Sequence, residues 1–243
     1  MTNHRPHLLG LLAGLFLAAG LVIAAMLVTR AWLRIAEAHT VTVTGSARLP
    51  VRSDLIVWRG SFSAEAPALL DAQRQLKKAM ETVDAFLRNQ GLTNYFFSPI
   101  AIQQLRAGQN SYDEGNRTVG YRLTQGVVLE SKEVDRITQL DRDSTALVEA
   151  GVVFTTSPVE YIYTKAAEAK VSLLAEATGD ARARATQIAS QGGRTIGGLR
   201  SARMGVFQIT ARNSVETSSE GVNDVSSLDK TITAVVSATF SLK

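Results

Sequence analysis

The feature that most constrains this chain is a continuous apolar run near its amino terminus. Residues 8–28 comprise 21 positions without a charge, LLGLLAGLFLAAGLVIAAMLV. As an α-helix the run would be about 31 Å long, enough to cross a bilayer core of about 30 Å. A helix on the surface of a soluble domain would show a polar face, and this run has none. We therefore expect a transmembrane anchor at 8–28, after a short tail at 1–7 and before a linker at 29–39.

A cleaved signal peptide is the alternative interpretation of the same run. The apolar region of a signal peptide usually spans about 7–15 residues, which is shorter than this one. A small-x-small cleavage pattern, Ala-Glu-Ala, does occur at residues 36–38, but it lies beyond the apolar run and past Trp32 and Arg34. The sequence favours an uncleaved anchor and leaves open whether the chain is ever cleaved after Ala38.

Charge gives little information about orientation or partners. The formal net charge is +4, from 26 basic and 22 acidic residues, and only three arginines and one glutamate precede residue 40. The remainder is close to neutral and has no basic run longer than Lys77-Lys78, so we expect no nucleic-acid partner. Arg5 lies on one side of the apolar run and Arg30 and Arg34 lie on the other, which leaves orientation undecided.

Small residues recur every four positions within the apolar run. This small-xxx-small spacing places them on one face of a helix, where they allow a second helix to approach closely. The stripe consists of Gly10, Gly14 and Ala18. It is the candidate surface for self-association in the membrane, although such stripes are also common by chance in spans rich in alanine and glycine.

The residue types that are missing exclude several kinds of chemistry. The chain has no cysteine, which rules out disulfides, thiolate metal sites and cysteine nucleophiles. Its three histidines, His4, His7 and His39, all precede residue 40. The rest of the chain therefore cannot form a serine hydrolase with a histidine base or most kinds of zinc centre.

The sequence after the apolar run predicts two similar strand-helix-hairpin units. Apolar and polar residues alternate at 40–47, the pattern of a half-buried strand. In the first unit we expect a strand at 54–66, a helix that starts near Pro67 and ends at Gly91, and strands at 95–105 and 119–131 joined by a turn-rich segment at 108–116. The helix carries an apolar stripe of Leu69, Leu76, Met80, Val83 and Leu87.

The second unit repeats this order about 100 residues later. A connecting helix at 133–149 precedes a strand at 152–164, a long helix at 165–190, a strand through Ile209 and a closing strand at 230–243. The pseudo-repeats cover about 53–131 and 151–243, and the predicted class is α+β, with mainly antiparallel sheets covered by helices. The polar loop at 211–229 is predicted to be mobile, either a solvated hairpin tip or a partner-docking loop.

The long helix carries three charges that could mark a site. On a helix, Asp180 and Arg184 are four residues apart and can form a surface ion pair, whereas Arg182 points elsewhere. These side chains therefore cannot converge on one substrate. Gly179 leaves open a break in this helix, because glycine is unfavourable inside helices.

Four glycines after the same helix resemble a phosphate loop in composition but not in order. A phosphate loop leads from a strand into the amino-terminal end of a helix, where N–H groups meet the anion. Here the glycines follow a helix and precede a strand, so we interpret Gly192 or Gly193 as a left-handed helix cap. The glycines concerned are Gly192, Gly193, Gly197 and Gly198.

Other candidate residues have ordinary structural interpretations. Asp141 and Asp143 could form a Mg²⁺ site or a carboxylate pair, but two residues apart on a helix they point to nearly opposite sides, as solvated acids would. Acidic residues are common in turn-rich loops. Aromatic residues on strands are more often core residues, although they could line a ligand groove. These residues are Asp113 and Glu114 in the loop, and Trp58, Tyr161 and Tyr163 on the strands.

Three motifs in order resemble the SIMPL-domain family of bacterial envelope proteins. They are VTVTGSA at 41–47, LLAEATGDARARATQIASQGG followed by RTIGGL at 173–199, and ITAVVSATFSL at 232–242. The resemblance covers about residues 40–243, and Gly179 departs from the family pattern. It implies a domain in the periplasm, held at the inner membrane or secreted, with ring-like homo-oligomers and links to oxidative-stress tolerance among relatives, and signalling adaptors among animal ones. It implies no catalytic residues.

These observations predict a non-enzymatic, membrane-anchored periplasmic protein that self-assembles and serves as a scaffold or binds an envelope partner, without cofactor or metal. One alternative is a module that binds a small periplasmic ligand or a lipid between sheet and helices. Another is a carboxylate-based hydrolase acting on glycans, which would need two acids about 5–10 Å apart in a cleft.

Overall fold

A computed structural model of the chain describes residues 6–36, 39–107 and 117–243. The predicted turn-rich segment at 108–116, with Asp113 and Glu114, lies outside the described residues, as do Arg5 and the Glu37-Ala38 part of the candidate cleavage pattern. The fold is of the predicted α+β class, with antiparallel sheets and an amino-terminal apolar helix.

The first helix is longer than the sequence suggested. Helix α1 spans Pro6–Ala36, so most of the predicted linker at 29–39 continues the helix. This stretch contains no glycine or proline, and its alanine, leucine and arginine residues favour the helix. Strand β1 then begins at Thr40 and extends to Arg52, five residues beyond the predicted end at Ala47.

The chain forms two compact units that interleave along the sequence. The smaller unit contains Met1–Ser46, Leu174–Gly205 and Val235–Lys243. The larger unit contains Ala47–Leu173 and Val206–Ala234. These limits differ from the pseudo-repeats at 53–131 and 151–243, because strands that are distant in sequence pair with one another.

The larger unit contains a six-stranded antiparallel sheet with two long strands at its centre. These are β2, Leu55–Ala66, and β5, Arg117–Ser131, which pair from Ile56 opposite Ser131 to Ala66 opposite Tyr121. Strands β3, Tyr95–Phe97, and β4, Ala101–Ala107, pair with β5. Strands β6, Val153–Thr156, and β7, Glu160–Ile162, pair with the other side of β2.

Helices pack on this sheet, and their apolar stripes form its core. The helices are α2, Leu69–Asn89, α3, Val134–Asp143, and α4, Thr145–Glu149. The rings of Trp58 and Phe154 stack at 5.9 Å between centroids. Leu69, predicted in the stripe of α2, is exposed at the first turn, and Ala72 is buried instead. The largest fully buried core side chains are Trp58, Phe62, Ile56, Leu76, Leu87, Leu123, Leu129, Ile137 and Leu147.

Four elements predicted as continuous are interrupted. Pro99 separates β3 from β4, and Pro158 separates β6 from β7, because proline lacks the N–H that a sheet ladder requires. The predicted helix at 133–149 ends at Ser144 and restarts as α4. The strand predicted to run through Ile209 divides near Gly205 into β8, Ile196–Met204, and β9, Gln208–Ala211.

In the smaller unit, β10 lies between β1 and β8. Strand β10 spans Asp229–Leu242, and helix α5 spans Ala166–Gln191 without a break at Gly179. A row of buried alanines four residues apart faces the sheet: Ala177, Ala181, Ala185 and Ala189. Four residues advance a helix by about 400°, so this row rotates around it. The spacing of Ala177, Ala181 and Ala185 in the sequence also predicts Ile188 on the buried face, but Ile188 is 55% exposed because of this rotation.

The alanine row brings α5 very close to β1. A Cβ placed on Gly45 would lie 2.2 Å from the carbonyl oxygen of Ala177 and 2.3 Å from the nitrogen of Ala181. Glycine in a strand commonly marks such close backbone approach. The close packing of α5 against β1 therefore explains the glycine at position 45 in the VTVTGSA motif.

We predict that Gly45→Ala lowers the free energy of unfolding by about 3 kcal/mol, because helix and strand must separate to admit the methyl group. Gly179→Ala is the matched change within the same unit. It has open space around its Cβ and should raise stability by about 0.5–1 kcal/mol. Denaturant unfolding of both variants measures the difference, and equal stabilities would contradict the close approach.

Candidate functional site

Helix α1 is exposed along the whole of its apolar part. Gly10–Trp32 forms a helical span of 23 residues, none of it buried, that is long and apolar enough to cross a membrane. Gly10, Gly14 and Ala18 are all exposed, and the space around Gly10 and Gly14 is open. Their role in self-association stays a prediction.

Asp180 and Arg184 form the predicted ion pair, and the structure adds a contact that the sequence did not suggest. The Nε of Arg184 lies 2.9 Å from Oδ2 of Asp180. The same oxygen accepts a hydrogen bond of 2.8 Å from the backbone N–H of Ser46 on β1. This hydrogen bond, followed by that from Arg184, holds the pKa of Asp180 below its ordinary value. The carboxylate of Asp180 therefore connects α5 to β1 by a hydrogen bond.

The glycines after α5 end the helix. Gly193 has a φ of +68°, and the N–H of Arg194 donates to the carbonyl oxygen of Ala189 at 2.8 Å. This is the left-handed cap that the sequence predicted. These glycines follow the carboxyl-terminal end of α5, where carbonyl groups are exposed. A phosphate loop instead lies at the amino-terminal end of a helix, where free N–H groups bind the anion. Gly197 and Gly198 continue into β8.

Asp141 and Asp143 do not form a pair, and Asp141 is not a freely solvated acid as expected. Its carboxylate accepts a hydrogen bond of 2.8 Å from the indole N–H of the buried Trp58. Asp143 accepts one of 3.0 Å from Gln139. Within 6–36, 39–107 and 117–243, no three His, Asp or Glu side chains are grouped as metal ligands would be.

The aromatic candidates divide between core and core edge. Trp58 is fully buried in the core, as its strand position predicts. Tyr161 is half-buried, packs against the core and places its hydroxyl 3.2 Å from Oγ1 of Thr138. Tyr163 is also half-buried, just after β7. Because Trp58 is buried in the core, it does not support the interpretation of these residues as the lining of a ligand groove.

The polar loop at 211–229 is held by many hydrogen bonds, whereas the sequence predicted a mobile segment. The side-chain amide of Gln208 donates to the carbonyl oxygen of Ser218 at 2.7 Å and accepts from the N–H of Val222 at 2.8 Å. Ile209 and Asn223 form a parallel bridge. Ser53 and Tyr161 bind the far end of the loop through their backbone N–H groups.

A buried lysine completes this attachment. Lys230 is 2% exposed, and its ammonium group donates to the carbonyl oxygen of Tyr161 at 2.6 Å and to that of Asp224. Burial lowers the pKa of Lys230, and the charge of Asp224 offsets part of that shift. Because backbone carbonyl groups surround this ammonium, it stabilises the loop instead of facing a cleft.

The carboxylate of Asp224 lies beside this lysine. One oxygen, Oδ1, accepts hydrogen bonds from the N–H and hydroxyl of Ser226, at 2.8 and 2.7 Å. The other, Oδ2, is buried and accepts none from the part of the chain that the structure describes. Burial alone would raise the pKa of Asp224, but the serine hydrogen bonds and the charge of Lys230 outweigh it, so the pKa lies below its ordinary value.

Sequence reasoning missed Lys230 as a structural residue, although a signal was present. In the closing strand, Lys230 has the same parity as the buried Ile232 and Ala234. Side chains two apart on a strand share a face. A lysine in register with core residues therefore indicates a buried ammonium group that needs acceptors. The identity of those acceptors depended on how the loop folds.

Fold and composition together define a class: an α+β domain attached to one helix that could anchor it in a membrane. The sequence model of the SIMPL family, described as a protein of unknown function (DUF541), matches residues 41–240. The chain therefore belongs to the SIMPL family. A comparison with curated proteins gives no significant match.

We predict that Lys230→Met lowers the free energy of unfolding by roughly 2–3 kcal/mol, because two carbonyl groups lose their donor and Asp224 loses its cation. Amide hydrogen exchange between residues 212 and 228 should become faster. Lys78→Met, on the exposed side of α2, is the control and should change stability by less than about 0.5 kcal/mol. Unchanged exchange in the loop of Lys230→Met would refute the attachment.

Proposed function

We propose that this protein is a non-enzymatic envelope scaffold, anchored in the inner membrane by α1, with its domain in the periplasm and assembled into homo-oligomers. The observation that carries the proposal is the fully exposed 23-residue apolar span, Gly10–Trp32, that precedes the SIMPL domain. So many exposed apolar side chains in one helix are stable in a lipid environment and unfavourable in water. The periplasmic side rests on the resemblance to envelope proteins.

A non-enzymatic role is supported by the engagement of the candidate acids. Asp141 accepts a hydrogen bond from Trp58, and Asp180 holds Ser46 and Arg184. Asp54, an acid that the sequence did not single out, likewise accepts hydrogen bonds from the N–H and hydroxyl of Thr164, at 2.7 and 2.8 Å. Each carboxylate is thus occupied by a contact that stabilises the fold, and the carboxylate-based hydrolase becomes the weaker alternative.

Self-assembly is supported by an open, apolar sheet edge in the larger unit. Among the residues that the structure describes, strand β4 pairs with β5 on one side and has no partner strand on the other. Ile102 on β4 lies opposite the buried Leu123, so it points to the core face of the sheet, yet it is 59% exposed. Val119 on β5, where the register between β4 and β5 shifts, is 46% exposed. An open edge with exposed apolar side chains is suited to contact with a second copy.

The proposal predicts that the full-length protein in mild detergent has the mass of several copies at micromolar concentration. Ile102→Lys should shift this mass towards the monomer, because a charge on the apolar edge opposes burial. Val171→Lys, on an exposed position of α5, is the control and should leave the mass unchanged. A strict monomer for the unmodified protein would contradict self-assembly.

In cells, a carboxyl-terminal reporter active only outside the cytoplasm tests the orientation.

A second prediction concerns the contact between anchor helices. Gly14→Leu should weaken self-association of α1 in a membrane reporter assay by about tenfold, because leucine separates the helix backbones. Gly20→Leu makes the same change on a different face of the helix and should have little effect. Equal effects of the two substitutions would mean that the stripe of Gly10, Gly14 and Ala18 is not the contact surface.

A further inference from the structure

A polar cleft in the larger unit has no role in the fold or in the proposed scaffold. Its volume is about 240 Å³, and it lies where β9 and the start of β10 meet the segment after β9. The residues that matter for its chemistry are Arg48, Arg212, Glu216, Thr210, Thr231 and Thr233. These side chains combine two guanidinium groups, one carboxylate and three hydroxyl groups.

The floor of the cleft follows from the alternation of β10. Thr231 pairs with Thr210, and Thr233 pairs with Gln208. Residues directly opposite in an antiparallel pair point to the same face. The neighbouring Lys230 and Ile232 are buried on the other face. The threonines and Gln208 therefore form a hydroxyl- and amide-bearing surface opposite the core.

The wall of the cleft is the segment at 212–217, and it is fixed in place. The hydroxyl of Thr231 donates to the carbonyl oxygen of Arg212 at 3.2 Å, and the N–H of Ser214 donates to that of Ala211 at 2.9 Å. Gln208 holds the next residue of the segment, Ser218. A ligand would therefore meet a site that is already formed, which lowers the entropy lost on binding.

The charges of the two arginines in the cleft are not matched by acids in ion pairs. Neither Arg48 nor Arg212 forms an ion pair with any acidic side chain within the residues that the structure describes. In a larger cleft of about 680 Å³, by contrast, Arg52 pairs with Asp135 and Arg136 with Glu133. The unmatched guanidinium groups have hydrogen-bond donors available for a ligand.

We propose that this cleft binds a small, singly charged oxyanion, a carboxylate or a phosphodiester, between Arg48 and Arg212. The planar guanidinium group presents paired N–H donors that match the oxygen pair of such an anion. The hydroxyls of Thr210 and Thr233 donate to its remaining oxygens or to hydroxyl groups of the ligand. Glu216 balances one of the two positive charges, so a monoanion fits better than a dianion. This binding does not depend on the self-assembly proposed above.

The test uses the full-length protein in a non-ionic detergent, with acetate and dimethyl phosphate as probes in saturation-transfer NMR. Their neutral analogues, acetamide and trimethyl phosphate, are measured in parallel. We expect binding of at least one anion and much weaker signals from the analogues. Arg48→Gln and Arg212→Gln should each weaken binding about tenfold, the effect of losing one charged hydrogen bond of about 1.4 kcal/mol.

Two further variants make the outcome specific. Arg182→Gln removes an exposed arginine of α5 outside the cleft and should leave binding unchanged. Glu216→Gln removes the competing negative charge and should strengthen binding several-fold. Thermal unfolding confirms that each variant is folded.

Stronger binding of acetate identifies a carboxylate ligand, and stronger binding of dimethyl phosphate identifies a phosphodiester such as a lipid headgroup. No binding to the unmodified protein, or equal binding by Arg48→Gln, Arg212→Gln and Arg182→Gln, overturns the proposal.

Discussion

The alternation of side chains along β10 is the constraint on which the rest of the structure depends. A strand must send successive side chains to opposite faces, so one strand can serve a core and a polar surface together. From Ile232 to Phe240, alternate residues of β10 are buried. On the opposite face of the strand, Thr231 and Thr233 form part of the floor of the polar cleft. A shift of one residue in the pairing would exchange these two sets, so the register of β10 is strongly specified.

Lys230 links this strand to the loop that precedes it. Its ammonium group is buried among carbonyl groups, and a buried charge is tolerated only when its donors are used. The segment at 211–229 therefore folds back along β9 and β10, where Gln208 holds it as well. The same attachment forms the wall of the cleft. A polar sequence that would otherwise form a solvated hairpin tip thus becomes part of a binding surface.

The functional picture joins three surfaces of different chemistry. The apolar helix α1 is suited to lipid, and β4 carries the exposed Ile102, where the proposed contact with another copy lies. The cleft between Arg48 and Arg212 is suited to an oxyanion. An anchored scaffold with a small-ligand site would combine the predicted scaffold role with the alternative of a binding module. Asp141, one of the carboxylates considered for catalysis, accepts a hydrogen bond from Trp58.

By itself the sequence determined the features that depend on local periodicity: the long apolar helix, the alternating strands, the α+β class, the ion pair of Asp180 with Arg184 and the left-handed cap at Gly193. These follow from spacing along one element, which the chain carries in its own order. Tertiary structure alone decided the interleaving of the two units, the partners of Lys230 and the cleft. Each of these features depends on which distant segments come into contact, as Tyr161 does with Lys230. The spacing of residues within one helix or strand holds no information about such contacts.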